Sequence, residues 1–205
     1  MINTKKITTI FLDIGGVLLS DGWGHEFRHQ AADKFKLDIP EMEKRHKLLF
    51  VVYEEGWITM DEYLDRVVFY QERDFTPEQF KIFMFSLSTA DTNMIALIKN
   101  LKAAYQLKIV VVSNEAKELN EYRIQKFRLS EFVDFFISSC YVHVRKPDAA
   151  IFHLALNGAQ VPAEEIIFID DVQMFTEVAM KLGIRSIWHR DYASTVKAFE
   201  DLGMP

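Results

Sequence analysis

The feature that most constrains this chain is a set of short apolar runs at residues 8–13, 109–113, 166–170 and 185–189, rich in β-branched and aromatic residues and free of polar alternation. Strands of that kind are buried on both faces, as in a parallel sheet covered by helices. Residues 132–138 are a candidate fifth. Helical spacing lies between the runs: Met94, Leu97, Ile98 and Leu101 precede the second, and Ala149, Phe152, His153 and Leu156 precede the third. This alternation, sustained from residue 94 to the end, predicts an α/β fold with a Rossmann-like, doubly wound parallel sheet.

Residues 20–90 read differently, with helical candidates at 24–35, 40–53, 60–73 and 77–87 and no buried strand. A helical block that follows the first strand is expected to form a cap, inserted over the sheet's C-terminal edge, where open α/β sheets bind ligands. The expected division is a core of residues 1–19 and 91–205 and a helical cap of residues 20–90.

Charge narrows the partners. Thirty acidic residues against twenty-four basic ones give a net charge of −6, and no basic stretch is present to neutralise the phosphates of a duplex. Nucleic acid is therefore not an expected partner, whereas a small phosphorylated metabolite needs only a metal ion and one or two cationic side chains. No apolar stretch approaches the roughly 18 residues of a membrane span. The apolar run near the start contains Asp13 and lacks a small-residue cleavage site, so it reads as a strand rather than a signal peptide. The single cysteine, Cys140, cannot form an internal disulfide and reads as a small buried hydrophobe. A cytoplasmic location is expected; oligomeric state is not legible.

Three of the runs end in residues that can do chemistry. The first ends in Phe11-Leu12-Asp13-Ile14-Gly15-Gly16-Val17, the second in Val112-Ser113-Asn114 and the third in Ile169-Asp170-Asp171. A charge at a buried strand end costs several kcal/mol unless it is paired or metal-bound. In a parallel sheet these ends meet at one edge, where three carboxylates call for a hard divalent cation with oxygen ligands, Mg²⁺ being the expected one.

The order and context of these motifs resemble the haloacid dehalogenase-like hydrolases over nearly the whole chain. The Arg145-Lys146-Pro147-Asp148 and Ile169-Asp170-Asp171 segments make the resemblance specific. It implies that Asp13 is a nucleophile that becomes phosphorylated, that Ser113 holds the transferring phosphoryl group, and that Lys146 neutralises the cluster. Asp13, Asp170, Asp171 and the backbone carbonyl of Gly15 would hold the metal. Asn114, Gly16, Trp23 and Trp57 are the expected substrate-binding positions. Tyr53, Glu54 and Thr59 join Trp57 around Gly56 in an expected specificity turn of the cap, with Gly22 and Gly24 as its expected hinge.

One departure stands out. The family's phosphatases carry a second aspartate two residues after the nucleophile as general acid and base, and here that position is Gly15. Such a group contributes roughly 10²–10⁴-fold in rate. A good leaving group, as in a sugar 1-phosphate or acyl phosphate, would lessen the need, and the Asp-x-Gly-x-Val pattern resembles a branch that includes α-glucose-1-phosphate phosphatases. Otherwise another side chain supplies the proton (His25, Glu26 and Glu115 are candidates), or the protein is a weak enzyme or a binding protein. Metal-free dehalogenation is disfavoured, because Asp170 and Asp171 would repel an anionic haloacid. His143 reads as a loop histidine, and Arg145 as either a substrate contact or a surface ion pair.

Overall fold

A computed structural model describes residues 6–204. In chain order the elements are β1 (Thr9–Leu12), α1 (His25–Phe35), α2 (Ile39–Glu54), α3 (Met60–Val67), α4 (Pro77–Ser86), α5 (Thr92–Tyr105), β2 (Lys108–Ser113) and α6 (Lys117–Lys126). There follow β3 (Phe135–Ser138), the short α7 (Ser139–Val142), α8 (Ala149–Ala159), β4 (Ile166–Asp170), α9 (Gln173–Lys181), β5 (Arg185–Trp188) and α10 (Tyr192–Asp201). The expected strands, the fifth included, all form.

The strands make one parallel sheet in the order β3-β2-β1-β4-β5. Alternate residues face opposite sides. Ile10, Leu12, Ile109, Val111, Ile167 and Ile169 pack with Met94, Ile98 and Leu101 of α5 and Phe199 of α10. Phe11, Val110, Val112 and Phe168 pack with Ile151, Phe152 and Ala155 of α8 and Ala179 of α9. With both faces covered, the strands can be wholly apolar, which is why they carry no alternation. The register places Leu12 beside Val111 on one side and Ile169 on the other, so β1, β2 and β4 end together. The chain leaves β1 towards β2 and β3 and later returns to add β4 on β1's other side. This is the switch point at which doubly wound sheets bind ligands.

Helices α1 to α4 share an apolar cluster of their own, which includes Met42, Tyr53, Tyr63, Val67, Phe80 and Met84 and extends to Ala116 and Leu119 beyond β2. Their starts are set by local chemistry. Asp38 caps α2, and Thr59 with Glu62 and Thr76 with Gln79 form capping boxes for α3 and α4. The third helix, expected over residues 60–73, ends at Val67. Phe69 turns inward against Phe75 and Phe80, and the Arg73 Nε donates to the freed carbonyl of Val68 at 2.8 Å. No helix among the described residues is long and apolar enough to cross a membrane.

Candidate active site

Asp13 follows β1, and its N–H donates to the Ile169 carbonyl of β4 at 3.0 Å, so its backbone continues the sheet while its side chain enters the edge. The carboxylate is almost wholly buried. Its Oδ1 accepts from the Ser113 hydroxyl at 2.5 Å and from the Ile14 N–H at 2.8 Å, and its Oδ2 lies 3.0 Å from Lys146 Nζ. Lys146 is fully buried, and its Nζ is also 2.6 Å from Asp170 Oδ2. Burial alone would strip the Lys146 proton, but Asp13 and Asp170 outweigh it and hold the pKa above the ordinary lysine value. Asn114 fixes this lysine's backbone in both directions, accepting from Lys146 N at 2.8 Å and donating to Lys146 O at 2.9 Å. Both ends of its amide are thereby engaged in holding Lys146.

Asp170 Oδ1 accepts from the Val172 N–H at 2.8 Å. Oxygens of Asp13, Asp170 and Asp171 all lie within 4.8 Å of one another. Burial pushes Asp170 up to about 7, helped by Asp13 and opposed by Lys146. Burial likewise raises Asp171 to about 6, with further push from Asp13 and, less, from Asp21. Gly16 adopts a left-handed φ of 69°, and any Cβ there would collide with the Asp171 carboxylate. The glycine thus makes room for Asp171.

A cavity of about 350 Å³ opens over this edge, bounded by Asp13, Gly15, Asp171 and Phe175 on the sheet side and by Trp23, Arg28, His46, Phe50 and Tyr53 on the helical side. Trp23 lines it, with its Nε1 donating to the Tyr63 hydroxyl at 3.0 Å. Trp57 does not. It is 61% exposed and stacks on His143, ring centres 4.3 Å apart, because its turn docks against the sheet edge instead. There Gly56 presses on the Cys140 carbonyl, leaving no room for a side chain, and Ser139 Oγ donates to the Glu54 carbonyl at 2.6 Å. Thr59 is occupied as a helix cap. Arg145 lines the cavity and pairs with Glu54 at 2.7 Å.

Of the expected proton donors, His25 and Glu26 are exposed on α1 and outside the cavity. Glu115 lines it but is bound to the buried Arg123 at 2.6 Å, while burial raises its carboxyl to about 7. Asp21, which carries no motif, is the carboxylate that sequence reasoning missed: it lines the same cavity beside Gly15.

Fold and edge together define a doubly wound α/β enzyme with an acidic, lysine-bridged centre at its switch point. The chain belongs to the haloacid dehalogenase-like hydrolases, whose family model matches residues 7–173. It is 28% identical over 181 residues to the chloroplast flavin mononucleotide hydrolase 1 of Arabidopsis thaliana, an alignment that covers 84% of this chain and 73% of that protein. It is 26% identical to the glyceraldehyde 3-phosphate phosphatase of Pyrococcus abyssi over 46% of this chain and 39% of that one. Among solved structures, a haloacid dehalogenase family enzyme of Bacteroides thetaiotaomicron superposes with a TM-score of 0.76 at 23% identity, covering 89% of this chain and 93% of its own. That enzyme has also been crystallised with magnesium and inorganic phosphate.

Proposed function

We propose that this hydrolase is a magnesium-dependent phosphatase of a small phosphorylated metabolite, working through an aspartyl-phosphate on Asp13. The observation that carries the reading is the Asp13 carboxylate, held between the Ser113 hydroxyl and the Lys146 ammonium and facing an open cavity. A carboxylate nucleophile paired with a lysine needs no general base before it attacks phosphorus. As the Asp13 oxygen bonds to phosphorus and the ester oxygen departs, the Ser113 hydroxyl can turn from Asp13 to an equatorial phosphoryl oxygen. Water then cleaves the aspartyl-phosphate and frees phosphate.

The donor set fits a divalent cation. Ionised, three carboxylates against one ammonium carry an excess of two negative charges, −3 + 1 = −2. The ligands are hard oxygens. Asp13, Asp170, Asp171 and the Gly15 carbonyl would hold Mg²⁺, which when bound supplies charge neutralisation for an incoming phosphate. The cavity's Trp23, Phe50 and Tyr53 beside Arg28 and Arg145 suit a compact polar body with an apolar face, such as a sugar phosphate. Two relatives named for hydrolysing phosphorylated compounds agree with this reading. A cytoplasmic metabolite is the proposed partner.

The test is phosphate release from a panel of sugar, acyl and aryl phosphates, with Mg²⁺ or EDTA, beside an Asp13→Asn control. Release that needs the metal and vanishes in Asp13→Asn is expected. Failure across a broad panel would sink the phosphatase reading.

A further inference from the structure

The step that protonates the leaving group has no donor at position 15, so its proton must come from another acidic group around the cavity. Apart from Asp13 and Asp171, the cavity is lined by Asp21, Glu54 and Glu115. Glu54 is paired with Arg145 at 2.7 Å and Glu115 with Arg123 at 2.6 Å, so each of these carboxylates has one oxygen held by a cation. Among the described residues, Asp21 forms no hydrogen bond and no ion pair through its carboxylate.

Its position follows from how the chain turns after β1. Leu18 and Leu19 both donate their N–H to the Ile14 carbonyl, at 3.0 and 2.9 Å, and Leu19 bridges to Ala90. This tight loop folds the chain back, so that Asp21 comes over Gly15. A Cβ built on Gly15 would lie 3.8 Å from Asp21 Oδ1, 3.9 Å from Asp21 Cα and 3.7 Å from Gly22 N. The Asp21 carboxylate therefore stands next to the place that a side chain at position 15 would occupy.

The loop is braced from below. The wholly buried Arg123 of α6 donates to the Ser20 carbonyl at 2.5 Å while holding Glu115. Ser20 itself donates its N–H to the Thr89 carbonyl at 2.9 Å and receives the Thr89 N–H on its Oγ at 3.0 Å. Gly24 gives the carboxylate room on its other side, since a Cβ there would collide with Asp21 Oδ2. The result is a fixed backbone carrying a carboxylate that is unpartnered, open to solvent and set beside Gly15 in the cavity lining.

Resting on the phosphatase reading above, we infer that Asp21 is the general acid and base of the reaction, supplied from the loop in place of a side chain at position 15. In the first half, the Asp13 oxygen bonds to phosphorus, the phosphorus–ester oxygen bond breaks, and the Asp21 proton passes to the departing oxygen. In the second, a water oxygen bonds to phosphorus, its proton passes to the Asp21 carboxylate, and the phosphorus–Asp13 bond breaks. The sum is ester plus water giving alcohol plus phosphate, with Asp21 returned to its starting form. A donor at this place puts esters of ordinary alcohols within reach and removes the need for an activated leaving group.

The experiment compares the protein with its Asp21→Asn variant on phosphate monoesters of graded leaving-group basicity, from p-nitrophenyl phosphate to simple alkyl phosphates. Asp21 is exposed and unpaired, so the variant is expected to fold with an unchanged melting temperature. In the first turnover, loss of 10²–10⁴-fold on alkyl esters is expected, with less than tenfold on the burst of p-nitrophenolate, whose departure needs no proton. With p-nitrophenyl phosphate, the variant should also accumulate aspartyl-phosphate in rapid-quench samples, because water activation is lost. No loss, or an equal loss across the series in that first turnover, would overturn the assignment while leaving the phosphatase standing. Hydrolysis of no ester by the unaltered protein would overturn both.

Discussion

Lys146 Nζ lies 2.6 Å from Asp170 Oδ2, with neither side chain exposed to water, and reaches on to Asp13 Oδ2 at 3.0 Å. One ammonium thus stands between the ends of β1 and β4. Removing it would strand two buried carboxylates, and breaking a buried pair from one side typically costs about 3–5 kcal/mol. Lys146→Met, close in volume, should lower unfolding stability by that order in urea titrations and abolish hydrolysis. Adding Asp170→Asn to Lys146→Met should return part of the stability without returning activity. An unchanged urea midpoint in Lys146→Met would contradict the bridge.

Gly16 and Asp171 form a second dependency. The glycine holds a φ of 69°, and its Cα faces the Asp171 carboxylate with no space for a methyl group. Gly16→Ala should therefore do two things at once: strain the backbone by about 1 kcal/mol and push Asp171 from the cluster. The expected result is a weaker apparent affinity for Mg²⁺, by at least about tenfold, beside a modest drop in melting temperature. Gly15→Ala, whose Cβ meets nothing nearer than 3.7 Å, is the matched control and should show neither. Equal behaviour of the two variants would deny the crowding argument.

The clustering of Asp13, Asp170 and Asp171 predicts that Mg²⁺ stabilises the folded protein, since the unfolded chain has no such site. At a concentration of about 100 times its dissociation constant, a ligand adds about 2.7 kcal/mol. For a chain of this length that is a rise of roughly 5–10 °C in melting temperature. Asp171→Asn should lose most of the rise, and EDTA should abolish it in the unaltered protein. Melting curves indifferent to Mg²⁺ would remove the metal from the site.

The sheet was legible because strands buried on both faces leave an unmistakable apolar signature, and because three of them end in Asp13, Ser113 and Asp170. The cluster at the edge was legible for the same reason: charge straight after a buried run requires compensation. What lies around it was not. Trp57 drew attention as an aromatic in a turn, but its ring rests on His143, since the turn is drawn to Ser139 and Cys140 by contacts no local pattern announces. Helix α6 was missed because its sequence, KELNEYRIQK, has no apolar stripe. Its buried face is made instead by Leu119, Asn120 and Arg123, the last spent on an ion pair and a loop carbonyl. Asp21 was missed because its closeness to Gly15 depends on that loop's path, six residues on in sequence.

His46 supplies a pH dependence separate from the metal cluster. Its Nδ1 lies 2.7 Å from the Tyr63 hydroxyl, which also accepts from Trp23 Nε1. Burial first, then the charge of Arg28, lowers the His46 pKa to about 4, against the raising effect of Glu43. Arg28 and Glu43 are themselves joined at 2.8 Å. Between pH 4 and 6.5 the unfolded chain therefore binds a proton at this position that the folded chain does not. By linkage, stability from His46 is complete above pH 6.5 and is lost as pH falls through about 4. The loss is of order 1–3 kcal/mol for a partly buried imidazole. Other groups titrate in the same window, so the informative quantity is a difference. His46→Asn keeps an acceptor near Tyr63 but has no proton to gain, and its urea midpoint should fall less steeply with acid than that of the unaltered protein. Parallel slopes for the two proteins would show that His46 takes up its proton equally in the folded and the unfolded chain.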